Sequence, residues 1–106
     1  MRAVPVDDKM TVAIKKVGVI GSGQMGNGIA HVAALAGFDV ALNDVSGDRL
    51  KSALATINGN LTRQVAKKAI SETDRKQALD RITSAETIDA LADCDLVIET
   101  AVEKEE

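Results

Sequence analysis

Val17-Gly18-Val19-Ile20-Gly21-Ser22-Gly23-Gln24-Met25-Gly26 decides how this chain folds. Its first four residues are a short apolar run of the kind that makes a buried strand. Three glycines follow, at 21, 23 and 26. The next stretch, Ile29-Ala30-His31-Val32-Ala33-Ala34-Leu35-Ala36-Gly37, reads as a helix ending at a glycine. About 20 residues beyond the glycines, a second apolar run, Val40-Ala41-Leu42-Asn43, ends in Asp44. Strand, glycine turn, helix, strand and acid, in that order, form the fingerprint of a dinucleotide-binding unit. Spaced glycines alone would be a weak sign; their setting makes it specific.

Each residue type answers a physical demand. A dinucleotide carries two negative phosphates that must come close to the backbone. Gly21 permits the tight turn out of the strand. Gly23 removes the Cβ that would stand where the pyrophosphate lies, and Gly26 lets the helix pack against the strands. The unpaired N–H groups at the helix start then face the phosphates, and the helix dipole favours their charge. Ser22, Gln24 and Met25 complete the loop. Gly28 is a further small residue, expected where backbone comes close to cofactor or sheet. The plain alternative is a tight strand-to-helix turn with no ligand. A mononucleotide P-loop is excluded, because no Gly-Lys-Ser/Thr follows.

Asp44 falls where the adenosine ribose would lie. A carboxylate there accepts hydrogen bonds from the ribose hydroxyls and repels a 2′-phosphate. No arginine stands directly beside it in the sequence, Arg49 being five residues on, so NAD is expected in preference to NADP. The same position also suits a residue that caps a helix.

Composition narrows the remaining classes. The chain has 106 residues, enough for one domain with a core. One Phe and no Trp or Tyr mean that this core is aliphatic and that no stacking platform for single-stranded nucleic acid exists. A net charge of -3 gives no general attraction to nucleic acid or anionic lipid. Cys94 is the only cysteine, so no intrachain disulfide forms and a reducing, cytoplasmic setting is expected. Its neighbours Asp93 and Asp95 should raise its pKa, which argues against a reactive thiolate. No metal ligand set is expected. No apolar run reaches the ~18 residues of a membrane span.

Residues 1–13 are expected to be a flexible leader, and 14–106 an incomplete dinucleotide-binding domain. The fold class is α/β, a doubly wound parallel sheet of the Rossmann type, amino-terminal part only. Strand one is placed at Lys16 to Ile20, helix A at Gln24 to Ala36 and strand two at Phe38 to Asn43. From Ser46 to about Ile70, Leu50, Leu54, Ile57, Leu61 and Val65 recur at helical steps and predict one long helix. Gly59 inside it predicts close packing or a bend. Ser71-Glu72-Thr73-Asp74 carries a helix start, Ile82 to Ser84 a short third strand, Ile88 to Ala92 a brief helix and Asp95 to Glu99 a fourth strand. Right-handed crossovers order these strands 3-2-1-4. The outer edge of strand four is then expected to be covered by polypeptide beyond Glu106 or by a partner segment. His31 is expected to be a partly buried helix residue. Arg63, Lys67 and Lys68 form a basic cluster whose bland reading is a solvated face and whose sharper reading is a contact for a phosphorylated substrate.

From Val17 to Ala30 the chain closely resembles the opening of the 3-hydroxyacyl-CoA dehydrogenases, most of all the bacterial 3-hydroxybutyryl-CoA branch. Asn43-Asp44, the stretch Asn60 to Lys68 and the stretch Asp95 to Glu103 extend the resemblance over residues 14 to 106. The long helical insert between strands two and three is its most discriminating part. The resemblance implies oxidation of the 3-hydroxyl of an acyl-CoA with NAD. It assigns Gly21, Ser22, Gly23, Gln24, Met25 and Gly26 to the pyrophosphate, Asp44 to the ribose, Ala101 and Glu103 to the lining of the cofactor site, and Lys68, in preference to Lys67, to coenzyme A. It places the catalytic His and Glu and a helical dimerisation domain later than Glu106, so no catalytic residue is expected in this chain and a homodimer is expected of the full-length protein. Other readings of the same residues are a related NAD-dependent hydroxyacid or sugar-acid dehydrogenase and a non-catalytic NAD-sensing domain.

Overall fold

The computed structural model describes residues 14–100. The expected leader, 1–13, and the segment 101–106 lie outside the described residues. The elements run β1 (Lys16–Ile20), α1 (Gln24–Leu35), β2 (Asp39–Asn43), α2 (Gly47–Ala66), α3 (Glu72–Asp80), β3 (Ile82–Ala85), a single 3-10 turn (Ile88–Leu91) and β4 (Leu96–Glu99). All the strand pairs are parallel and the order is β3-β2-β1-β4, as the right-handed crossover rule requires.

Central position explains the strand sequences. Three consecutive residues of β1 and four of β2 are buried, because parallel strands covered on both faces need continuous apolar runs. β4 instead alternates between half-buried and exposed, and it stands at the end of the order. With Phe38, the one aromatic, only packed against it, the core closes around Val19, Val40, Leu42, Ile57 and Leu61. Helix α1 lies close to the sheet because the side it buries is Gly26, Ala30 and Ala34.

Helix α2 is shorter than the pattern implies, and the reason is local. Lys67 closes it and Lys68 turns into the left-handed region at φ 63°. The Lys68 N–H then donates to the Val65 carbonyl and the Ala69 N–H to the Gln64 carbonyl, which satisfies the last turn. Its buried side is Leu50, Ala53, Ile57 and Leu61; Leu54 is only half-buried, the small Ala53 taking the inner place. Gly59 lies inside the unbroken helix and does not pack closely, since a Cβ there would meet nothing within 4 Å. Helix α3 begins as expected: the Ser71 hydroxyl accepts from the Asp74 N–H, and the Asp74 carboxylate accepts from the Ser71 N–H.

Two polar contacts between helices were not legible in the pattern. Nη1 of Arg81, just before β3, donates to the Ala34 carbonyl at 2.7 Å, adding to the bond this carbonyl takes from the Gly37 N–H near the end of α1. His31 Nε2 and Gln64 Oε1, 2.8 Å apart, tie α1 to α2. Cys94 is half-buried against Gly18, where an added Cβ would lie 3.0 Å from its Sγ. Burial is the main reason its thiol is pushed up; Asp93 and Asp95 add to this and Lys16 opposes it.

The glycines of this fold differ sharply in what they tolerate. A Cβ on Gly26 would stand 1.8 Å from the Gly21 carbonyl oxygen. Gly26→Ala should therefore destabilise by at least about 3 kcal/mol, since backbone rather than a flexible side chain must yield. Gly59→Ala should stabilise by roughly 0.5–1 kcal/mol through helix propensity alone. Thermal denaturation of the two variants checks both signs.

Candidate functional site

The carboxyl ends of the four strands meet at the glycine turn, and backbone bonds fasten them together. The Gly21 N–H donates to the Asn43 carbonyl, the Asp44 N–H to the Ala85 carbonyl, and the Thr100 N–H to the Ile20 carbonyl. Asn43, itself buried, adds a side-chain bond from Nδ2 to the Ala85 carbonyl. Gly21 takes φ 98°, a conformation open to glycine, and so turns the chain sharply out of β1. The Thr100 hydroxyl lies 2.8 Å from the Ile20 carbonyl oxygen and 3.1 Å from that of Gly21, bracing the turn from beneath.

The loop residues carry no obstruction. A Cβ on Gly23 would meet nothing within 4 Å, so space lies open over the turn. Gly23 is the N-cap of α1 and no side chain caps that helix. Its first turn also carries no acid. The helix start is thus left to a ligand, and an anion suits it. Gly28, expected at a close approach, meets no protein atom within 4 Å of its would-be Cβ.

Asp44 is brought to this turn by the pairing of β1 with β2. It is 6% exposed and fully engaged on one side. Its Oδ2 accepts from the Ser22 N–H at 3.0 Å and the Ser22 hydroxyl at 2.9 Å, and its Oδ1 accepts from the Ser46 N–H at 3.1 Å. Burial alone would raise its pKa. The bonds from the Ser22 N–H, the Ser46 N–H and the Ser22 hydroxyl, with the Arg49 charge, outweigh it and hold the carboxyl below its ordinary value. Asp44 does not cap α2; that role belongs to Ser46, whose hydroxyl accepts from the Arg49 N–H. Asp44 fixes the residue that does.

One part of the sequence reading needs correction. Arg49 does not stand next to Asp44 in the chain, yet five residues on its Nε lies 3.9 Å from Asp44 Oδ2. The first turn of α2 folds back over the end of β2 and returns the guanidinium to the carboxylate. Only the helix start at Gly47 could have signalled this. Val45, 84% exposed beside Asp44, is a second feature the pattern did not single out. Ser22 was assigned to the phosphate loop; its side chain is turned inward, to Asp44.

A cleft of about 590 Å³ opens between the glycine turn and α2. Ser22, Gly23 and Gln24 line one wall; Arg49, Thr56 and Asn60 are on the other. Asn60 Oδ1 accepts from Arg63 Nη2. Arg63 and Lys67 follow Asn60 at helical spacing and so continue the same face. Lys68, expected as the coenzyme A contact, follows Lys67 at the end of this helix and takes φ 63°. Ala101 and Glu103 lie outside the described residues. Among the described residues no group of three or more His, Cys, Asp or Glu stands together as a metal site, and no helix is long and apolar enough to cross a membrane.

This geometry has matches among known proteins. The family model for the 3-hydroxyacyl-CoA dehydrogenase NAD-binding domain matches residues 16–106. The chain belongs to that family. A 3-hydroxybutyryl-CoA dehydrogenase of Bradyrhizobium diazoefficiens is 75% identical over 97 residues, which are 92% of this chain and 33% of that protein. The solved structure of 3-hydroxybutyryl-CoA dehydrogenase from Escherichia coli K12 superposes with a TM-score of 0.85 at 40% identity, covering 88% of this chain and 20% of that one. That of (S)-3-hydroxybutyryl-CoA dehydrogenase from Ralstonia eutropha gives a TM-score of 0.84 at 38% identity, over 88% of this chain and 33% of that one. The chain thus spans about a third of the length of the Bradyrhizobium relative. The NAD-binding family also accounts for the uncapped helix start and the pinned carboxylate.

The lowered pKa of Asp44 makes its contribution to stability one-sided. It is fully present above the value of an unfolded Asp, about 3.9, and is lost as the pH falls through the lower folded value. Asp44→Asn should therefore flatten the decline of stability in that acid range. Urea unfolding of both proteins at a series of acid pH values measures the difference.

Proposed function

We propose that this chain is the cofactor-binding part of an NAD-dependent 3-hydroxyacyl-CoA dehydrogenase whose substrate is 3-hydroxybutyryl-CoA. The observation that carries the reading is the Asp44 carboxylate, held against the glycine turn by Ser22. Both ribose selector and phosphate cradle are then built before a ligand arrives, which lowers the ordering cost of binding. The naming of the Bradyrhizobium relative supports the substrate.

The residues present fit the dinucleotide. The open space over Gly23 and the uncapped start of α1 suit the pyrophosphate, with Gly21, Ser22, Gln24, Met25 and Gly26 shaping the loop. Asp44 keeps acceptor capacity on Oδ1 for the ribose hydroxyls. Ala101 and Glu103 would add to the lining after β4. When bound, NAD supplies the hydride acceptor for oxidation of the 3-hydroxyl to a ketone. The chain's own task is to orient it; the general base that takes the hydroxyl proton is assigned to polypeptide outside this sequence. His31 is engaged with Gln64 and is not a candidate.

Coenzyme A is assigned to the basic end of α2. Arg63, Lys67 and Lys68 gather there, and Lys68 takes the role in preference to Lys67, as the family resemblance implies. A homodimer and a cytoplasmic setting complete the reading, the latter suited to the reduced Cys94.

Titration of the intact protein by fluorescence should show NADH binding at least tenfold tighter than NADPH. The protein should turn over 3-hydroxybutyryl-CoA with NAD. Lys68→Ala should raise the KM for the acyl-CoA several-fold with little change in kcat, and more than Lys67→Ala does. Dinucleotide binding with no turnover would instead favour a sensing domain.

A further inference from the structure

The approach of Arg49 to Asp44 puts a cation at the point where the two common nicotinamide dinucleotides differ. The Cα of Arg49 is fixed in the first turn of α2, where its N–H donates to the Ser46 hydroxyl. Its side chain is 66% exposed, whereas that of Asp44 is 6% exposed. The carboxylate is therefore anchored and the guanidinium is free to change partner. Of the side chains lining the cleft, Arg49 is the cation and Asp48 the anion.

A guanidinium presents a planar fork that matches a phosphate at two points. A 2′-phosphate on the adenosine ribose would arrive where Asp44 repels it and Arg49 attracts it. We propose that Arg49 is a second selector of the dinucleotide, occupied by Asp44 in the native chain and available to a 2′-phosphate once that carboxylate is withdrawn. The preference for NADH is then the difference between two opposed charges. Arg49 softens the exclusion of NADPH that Asp44 imposes, and Asp48 limits how far the balance can move. This inference rests on the dinucleotide reading above and adds the residue that tunes its selectivity.

The test is fluorescence titration of the intact protein with NADH and with NADPH, with melting temperature confirming the fold. Asp44→Ser should gain at least tenfold in affinity for NADPH relative to NADH. Adding Arg49→Ala should remove most of that gain. Adding Lys51→Ala, which removes the same charge from an exposed position two residues away, should not. Equal NADPH affinity in Asp44→Ser and Asp44→Ser/Arg49→Ala would overturn the proposal. If Asp44→Ser does not fold, Arg49→Glu in the otherwise native chain decides the matter. It should weaken NADPH several-fold more than NADH, and an unchanged ratio would overturn the proposal. A native protein that binds neither dinucleotide would defeat the reading of the site itself, whereas NADH binding with no dependence on Arg49 would defeat this inference alone.

Discussion

A single buried carboxylate organises the functional end of this molecule. Asp44 sits at the end of β2 and accepts from Ser22, in the turn after β1, and from Ser46, at the start of α2. The end of β2 and the start of α2 are thereby tied to the turn after β1, 22 residues earlier in the chain. An ion so placed is tolerated only because fixed donors replace the water it loses. The same donors aim it, so the residue that would read the ribose is already in position in the absence of ligand.

The glycine turn depends on that point and on two further constraints. Gly21 must take a conformation that other residues rarely adopt, and Gly26 must lack a side chain because the Gly21 carbonyl occupies its place. Thr100, arriving from β4, holds the Ile20 and Gly21 carbonyls from the other side. The result is a rigid edge with open space above Gly23. Rigidity in the frame and vacancy over the loop are what a backbone-based phosphate site requires.

The long α2 has two distinct duties. Its apolar side, from Leu50 to Leu61, closes the aliphatic core; its polar side forms a wall of the cleft. Arg63 stands in its last turn, where the helix dipole favours a cation. One helix thus takes part in both the core and the wall of the cleft.

Most of the fold was legible because it follows from short-range rules. Apolar runs at 17–20 and 40–42, spaced glycines, helical periodicity after Ser46 and the capping box at Ser71 each have a local physical cause, and handed crossovers then dictate the strand order. What the pattern could not supply were meetings between segments. The return of Arg49 to Asp44, the inward turn of Ser22, the bond from Arg81 to the end of α1 and the left-handed turn at Lys68 depend on where neighbouring elements end to within one residue. Periodicity locates a helix face but not the last residue on it. Sequence alone therefore determined the architecture and the class of ligand, because both arise from backbone freedom and burial. Tertiary structure alone decided which charges stand together, because electrostatic contact depends on distance across the fold and not along the chain.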